Sequence, residues 1–185
     1  MKSAHRHEVR IVGGAWKRSK LPVPDRPGLR PTPDRVRETL FNWLGQDLTG
    51  WRVLDAFAGS GALGFEAASR GAAEVVLLES DRAVAEGLER TRLRLGGEAM
   101  RIQRAEALAW MAGCAAARFD LVLLDPPFGS GLADAALAVA ARIVAPGGFV
   151  YLESERPLPP GGAAGLALHK AGRAGQVHFH LLRFV

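Results

Sequence analysis

From residue 51 onward, short uninterrupted apolar runs alternate with segments of helical period. That pattern leads to a mostly parallel sheet covered by helices on both faces. The runs lie at 52–55, 74–79, 119–124 and 149–153, with a weaker one at 100–102. Between them, 61–70, 81–95, 106–112 and 131–144 suit helices, the last ending before Pro146-Gly147-Gly148. Two further strands, near 166–169 and 177–181, form an expected terminal hairpin. The expected fold class is therefore α/β and Rossmann-like, with seven strands.

Ahead of this body, 9–12 and 21–24 predict a short hairpin with Trp16-Lys17-Arg18 near its turn. Pro22, Pro24, Pro27 and Pro31 keep the following stretch extended. Thr32-Pro33 then reads as a helix start, with Thr32 as the N-cap. Val36, Leu40, Trp43 and Leu44 continue it at helical spacing, and Gly45 or Gly50 closes it. Residues 1–31 are read as a basic extension and 32–185 as the main domain.

Charge is divided along the same line. Residues 1–37 hold ten Lys/Arg against three Asp/Glu, whereas the rest holds fourteen against sixteen. A basic block beside a near-neutral body is suited to a phosphate backbone. The chain has one cysteine, Cys114, no apolar run long enough for a membrane span, and no apolar stretch behind its basic N-terminus. The expectation is a cytoplasmic protein with Cys114 in the core. His178 and His180, at period two, are expected on an exposed sheet face.

Two motifs carry chemistry. Asp55-Ala56-Phe57-Ala58-Gly59-Ser60-Gly61-Ala62-Leu63-Gly64 follows a strand and opens a helix. Glycines there allow a sharp turn and close backbone approach by a ligand. Glu79, at the end of the next strand, is placed to accept from ribose hydroxyls. The string also fits the dinucleotide fingerprint, so a nicotinamide-dependent oxidoreductase is a rival. Asp55 favours a cofactor with a cationic amino group over one with a pyrophosphate.

The second motif, Asp125-Pro126-Pro127-Phe128, ends the 119–124 strand, where open α/β sheets bind ligands. An exocyclic base amine is a poor nucleophile because its lone pair is delocalised. The Asp125 carboxylate and the Pro126 carbonyl can each accept one N–H and orient that lone pair. Proline fixes the acceptors, and Phe128 can stack on the base. These features point to transfer of a methyl group from S-adenosylmethionine to a base amine. An adenine-N6 enzyme and a non-catalytic RNA-binding assembly factor remain alternatives.

Taken together, the chain resembles the RsmD family, bacterial 16S rRNA guanine-N2 methyltransferases. The resemblance is carried by Ile11-Val12-Gly13-Gly14, by 21–24, by 28–44, by the glycine loop, by Asp125 to Phe128, by Glu153-Ser154-Glu155 and by Ala174-Gly175-Gln176-Val177. It implies a class I methyltransferase fold acting on 16S rRNA within small ribosomal subunit particles, as a monomer and without a metal. It places Asp55, Phe57, Ala58, Gly59, Ser60, Gly61, Glu79, Ser80, Glu106 and Ala107 around the cofactor. Asp125 to Phe128 would hold the base. Arg10, Trp16, Lys17, Arg18, Arg30, Thr32, Arg35 and Arg37 would lie toward the RNA. Glu106 stands where the family leads one to expect Asn or Asp beside the adenine.

Overall fold

The structure, a computed structural model, describes residues 7–185; the basic terminus 1–6, with His5, lies outside the described residues. A two-stranded hairpin, β1 (Glu8–Arg10) and β2 (Lys20–Pro22), precedes α1 (Asp34–Trp43). The body then runs β3 (Arg52–Asp55), α2 (Ala62–Ser69), β4 (Glu74–Glu79), α3 (Arg82–Leu95), β5 (Met100–Arg104), α4 (Ala107–Ala112), β6 (Phe119–Leu124), α5 (Ala133–Ile143), β7 (Val144–Ser154), β8 (Ala167–Ala174) and β9 (Val177–Arg183).

The seven strands of the main sheet are ordered β5-β4-β3-β6-β7-β9-β8. The first five are mutually parallel, and β9 pairs antiparallel with both β7 and β8. The order reverses direction at β3, whose neighbours are β4 and β6. Loops leaving β3 and β6 diverge there and leave a crevice at the strands' carboxyl ends.

Alternate side chains of each parallel strand point to opposite faces, so both faces need cover. Val53, Leu77, Leu121, Leu123 and Tyr151 pack with α1, α2, α3 and the hairpin. Leu54, Val76, Leu78, Val122 and Leu152 pack with α4 and α5. Ile11 and Leu21 of the hairpin region are fully buried in the first of these clusters. The hairpin is therefore built into the core.

Its anchor is α2. Val12 N–H and Gly13 N–H donate to the two carboxylate oxygens of Glu66, at 3.0 and 2.9 Å. Ser69 Oγ donates to Gly13 O and accepts from Trp16 N–H. Gly14 has φ +76°, and a Cβ there would fall 1.9 Å from the Ser69 carbonyl oxygen, so only glycine fits.

Four expectations are corrected. Pro33, not Thr32, occupies the N-cap of α1, and no side chain caps it, because the Thr32 hydroxyl is engaged elsewhere. β7 begins at Val144, ahead of Pro146-Gly147-Gly148, with a register shift opposite Phe119 to Leu121. His180 is 1% exposed, because β9 lies inside the sheet between β7 and β8. Cys114 is half-buried at the end of α4 and lies outside the fully buried core.

Candidate active site

The crevice above β3 and β6 is a cleft of about 1690 Å³, larger than an ordinary small-molecule pocket. One side is the glycine loop after β3, and the other is the loop after β6. The segment 26–33 and the start of the β7–β8 connection form the rim.

Asp55 ends β3 beneath the glycine loop and is 1% exposed. Its Oδ2 accepts from Gly64 N–H at 2.9 Å. Its Oδ1 is the one buried side-chain polar atom without a partner among the described residues. Burial pushes the Asp55 carboxyl up to about 7, and the charges of Glu79 and Glu153 add to that. Such an orphan is costly unless a ligand supplies a donor. A cationic amino group would supply both the hydrogen bond and the charge.

The loop itself is shaped by Gly59 (φ +53°) and Gly61 (φ +80°), both in the left-handed region. Gly61 forms the N-cap of α2, so the first amides of that helix lie beside the loop. Glu79 ends β4 next door. It accepts from Gly59 N–H through Oε2 and from Asp81 N–H through Oε1, which fixes the carboxylate while leaving lone pairs open. Phe57, Ala58, Gly59, Ser60, Glu79, Ser80, Glu106 and Ala107 line the cleft; Asp55 and Gly61 lie just behind the lining. These groups fit an adenosyl cofactor bearing an amino acid tail.

Glu106 has a structural role besides. Both of its carboxylate oxygens cap α4, accepting from Leu108 and Ala109 N–H at 3.0 and 2.7 Å. An adenine amino group would have to share those oxygens.

Across the cleft, Asp125, Pro126, Pro127 and Phe128 all line the wall, and Phe128 is 66% exposed. An apolar ring that open at a cleft has a face available for stacking. Asp125 touches solvent at the cleft floor, yet protein encloses its carboxyl on most sides. Burial pushes that carboxyl well above the ordinary carboxylate range, and the charge of Glu153 and a hydrogen bond with it push further. Glu155 accepts from Gly129 N–H and ties the β7–β8 connection to the loop that carries Phe128.

The expected RNA-facing residues divide. Arg30 is exposed on the rim, and Arg35 is exposed at the start of α1. Arg10, Lys17 and Arg18 are exposed on the hairpin, away from the cleft lining. Trp16 is half-buried and packs on Phe65, with ring centroids 6.3 Å apart, so it is a packing residue. Arg37 is fully buried. It pairs with Glu66 at 3.1 Å and with Asp34, and it donates to the carbonyls of Thr32 and Arg10. It cannot reach RNA. Thr32 is 4% exposed and donates to Glu153 Oε1 at 2.8 Å. It lines the cleft but does not face outward.

The site thus contains a network that the motifs did not reveal, Thr32–Glu153–Tyr151, with Tyr151 OH also donating to Glu153 Oε1 at 2.8 Å. A signal for it existed, since Glu153 stands near the carboxyl end of the strand beside the one that leads into Asp125.

The family described as "Conserved hypothetical protein 95" matches residues 9–183 of this chain. Ribosomal RNA small subunit methyltransferase D of Escherichia coli (strain K12) is 43% identical over 180 residues, 94% of this chain and 89% of the relative. The chain belongs to that methyltransferase family. The relative of the same name from Haemophilus influenzae is 42% identical over 157 residues, 82% of this chain and 81% of the relative. A solved structure described as putative methyltransferase yhhF from Escherichia coli superposes with a TM-score of 0.85 at 38% identity, covering 96% of this chain and 98% of that one. As a small subunit rRNA methyltransferase D relative, the chain has the class I methyltransferase fold and is an rRNA methyltransferase. The oxidoreductase alternative is thereby set aside.

For this methyltransferase, the orphaned Asp55 oxygen leads to a pH prediction. Binding a cationic amine requires Asp55 ionised, and its value near 7 means it is largely protonated in mild acid. S-adenosylmethionine affinity is expected to fall by up to about tenfold per pH unit below 7. Calorimetric titration between pH 5.5 and 7.5 measures it, and Asp55→Asn is expected to weaken binding and flatten the slope. An equally steep slope in that variant would assign the titration to another group.

Proposed function

We propose that this chain methylates N2 of a guanine in 16S rRNA, using S-adenosylmethionine, on small ribosomal subunit particles. The observation that carries the proposal is one cleft with two walls. The unpartnered Asp55 oxygen and the fixed Glu79 carboxylate lie on one side. The Asp125 carboxylate and the exposed Phe128 lie on the other.

When bound, S-adenosylmethionine supplies an activated, electrophilic methyl group. The chain's own residues then supply position and a proton acceptor. Phe128 stacks on a base swung out of the RNA. Asp125 and the Pro126 carbonyl accept the two amino N–H groups and turn the nitrogen lone pair toward the methyl. As the nitrogen gains its methyl bond it releases one proton. The carboxylate pair Asp125 and Glu153 is the nearest acceptor and passes the proton to solvent through the open cleft.

The test is labelled methyl transfer to small subunits lacking the modification, followed by nucleoside mass spectrometry. N2-methylguanosine is the expected product. N6-methyladenosine would move the activity to adenine, and no labelled nucleoside would exclude this substrate class.

Residues 1–31 are proposed as the RNA-contacting extension, with exposed Arg10, Lys17, Arg18 and Arg30 supplemented by Arg35. Removing one cation that neutralises a phosphate lowers the slope of log affinity against log salt by about 0.7–0.9. Arg30→Ala with Arg35→Ala is therefore expected to flatten that slope by roughly 1–2 and leave S-adenosylmethionine affinity unchanged. Point substitutions are the right tool, because deleting 1–20 would also remove buried Ile11 and the strand that pairs with Leu21. An unchanged slope would take these two arginines off the RNA path.

A further inference from the structure

Asp125 follows Leu124 at the end of β6, and Glu153 follows Leu152 in β7. The two strands are parallel, with Leu124 and Leu152 in register. The fold therefore sets two carboxyl groups side by side at the carboxyl ends of adjacent strands. Both line the cleft, and they are close enough to interact by charge and hydrogen bond.

Glu153 is held by an arrangement that the methyl-transfer chemistry alone does not require. Thr32 Oγ1 and Tyr151 OH both donate to its Oε1, each at 2.8 Å. All three residues are buried, and Tyr151 is fully so. Among the described residues, no hydroxyl or N–H is bonded to its other oxygen, Oε2. Thr32 reaches Glu153 from the rim segment, 121 residues away in sequence. Two donors on one oxygen fix the carboxyl plane and leave the second oxygen to the cleft. That oxygen is not among the buried atoms left without a partner, so it reaches the cleft as a fixed acceptor open to a ligand donor.

The Watson–Crick edges of the bases differ in the pattern they would present there. Guanine offers N1–H beside the N2 amino group, two adjacent donors. Adenine offers an acceptor at N1 beside its N6 amino group, and cytosine an acceptor at N3 beside its N4 amino group. Two neighbouring carboxyl acceptors match only the first pattern. Against adenine or cytosine, the ring nitrogen lone pair would face a carboxylate lone pair.

We propose that Glu153 is the specificity-determining residue, accepting guanine N1–H while Asp125 accepts from the N2 amino group. The inference rests on the methyl-transfer function proposed above. Thr32 and Tyr151 are positioning residues that act through Glu153. The arrangement places base choice one strand away from the Asp-Pro-Pro-Phe motif, which by itself recognises only an amino group.

The test uses small subunits reconstituted with either the target guanine, located by mass spectrometry, or 2-aminopurine at that position. 2-Aminopurine keeps the amino group but has an acceptor at N1. Wild-type protein is expected to favour guanine by at least about 100-fold in kcat/KM, as sites built around a substrate N–H do. Glu153→Gln can turn an amide N–H toward the 2-aminopurine N1. It is expected to cut the preference by about tenfold or more while S-adenosylmethionine still binds. A merely structural role would slow both substrates alike and keep the wild-type ratio, and that result would overturn the inference. If Glu153→Gln fails to fold, the wild-type ratio decides alone, and a ratio near one overturns it. Guanine methylated without preference sinks only this inference. Guanine left unmethylated by wild type sinks the proposed function and the inference with it.

Discussion

Replacing Asp125 with Ala is expected to lower kcat for methyl transfer by about 10²–10⁴-fold, with S-adenosylmethionine affinity changed less than about threefold. The size follows from what the side chain does in the site. Its carboxyl is the acceptor nearest the proposed position of the amine, and it is enclosed by protein on most sides. Acceptors in such surroundings act more strongly on developing charge than they would in water. Binding of the base should change less than turnover, because Phe128 stacking persists in the variant. Asp125→Asn separates orientation from charge. It keeps a carbonyl acceptor for one N–H but removes the proton acceptor, so it is expected to retain more activity than Ala. Single-turnover transfer with saturating cofactor measures both variants. Activity within tenfold of wild type in Asp125→Ala would remove this residue from the reaction.

The elements of this site that were legible in the sequence are those whose function is local. Asp55 and the glycine loop are contiguous, and their positions follow from one strand meeting one helix. Asp125 to Phe128 are likewise contiguous and end a strand. The roles of Arg37, Thr32 and Glu153 come from packing between segments far apart in sequence. Arg35 and Arg37 look alike in the basic run at 30–37, yet two residues along a helix is more than half a turn. Arg35 faces solvent, while Arg37 shares a face with Phe41 and Leu44 at i+4 and i+7, and all three are buried. That periodicity was present in the sequence; the partner that makes a buried arginine tolerable was not. Glu66 is the lone charged residue of α2, and no local rule says whether it meets water or a guanidinium. Strand order is non-local too, and it decides whether His180 is covered. On an edge strand it would face solvent, but on β9 it accepts from Leu158 N–H and is fully buried.

Glu66→Ala is expected to destabilise the fold by about 3–5 kcal/mol, the usual cost of removing one partner of a buried ion pair. For a chain of this length that is roughly a 10 °C fall in Tm. Glu66 and Arg37 are both fully buried, and Arg70 is 6% exposed at its side chain. Without the carboxylate, Arg37 keeps only Asp34 and two carbonyls, and the Val12 and Gly13 amides lose their acceptor. Uncompensated charge outweighs the broken hydrogen bonds, which alone contribute about 1 kcal/mol each. Two companion variants separate the contributions. Glu66→Gln keeps a carbonyl for the amides but not the charge, and it should fall between Ala and wild type. Arg37→Met combined with Glu66→Leu removes both charges and refills the volume. It should recover only part of the loss: the apolar pair carries no desolvation penalty, but Arg70 and the Val12 and Gly13 amides still lose their acceptor. Thermal melts of the three variants measure the series, and a fall of less than about 2 °C for Glu66→Ala would show that the pair contributes little. The same substitution reaches the site. Arg37 binds the Thr32 carbonyl, and Thr32 holds Glu153, so loosening Arg37 lets the rim segment drift from the carboxyl pair. In the fraction that remains folded, KM for the ribosomal particle should therefore rise more than kcat falls.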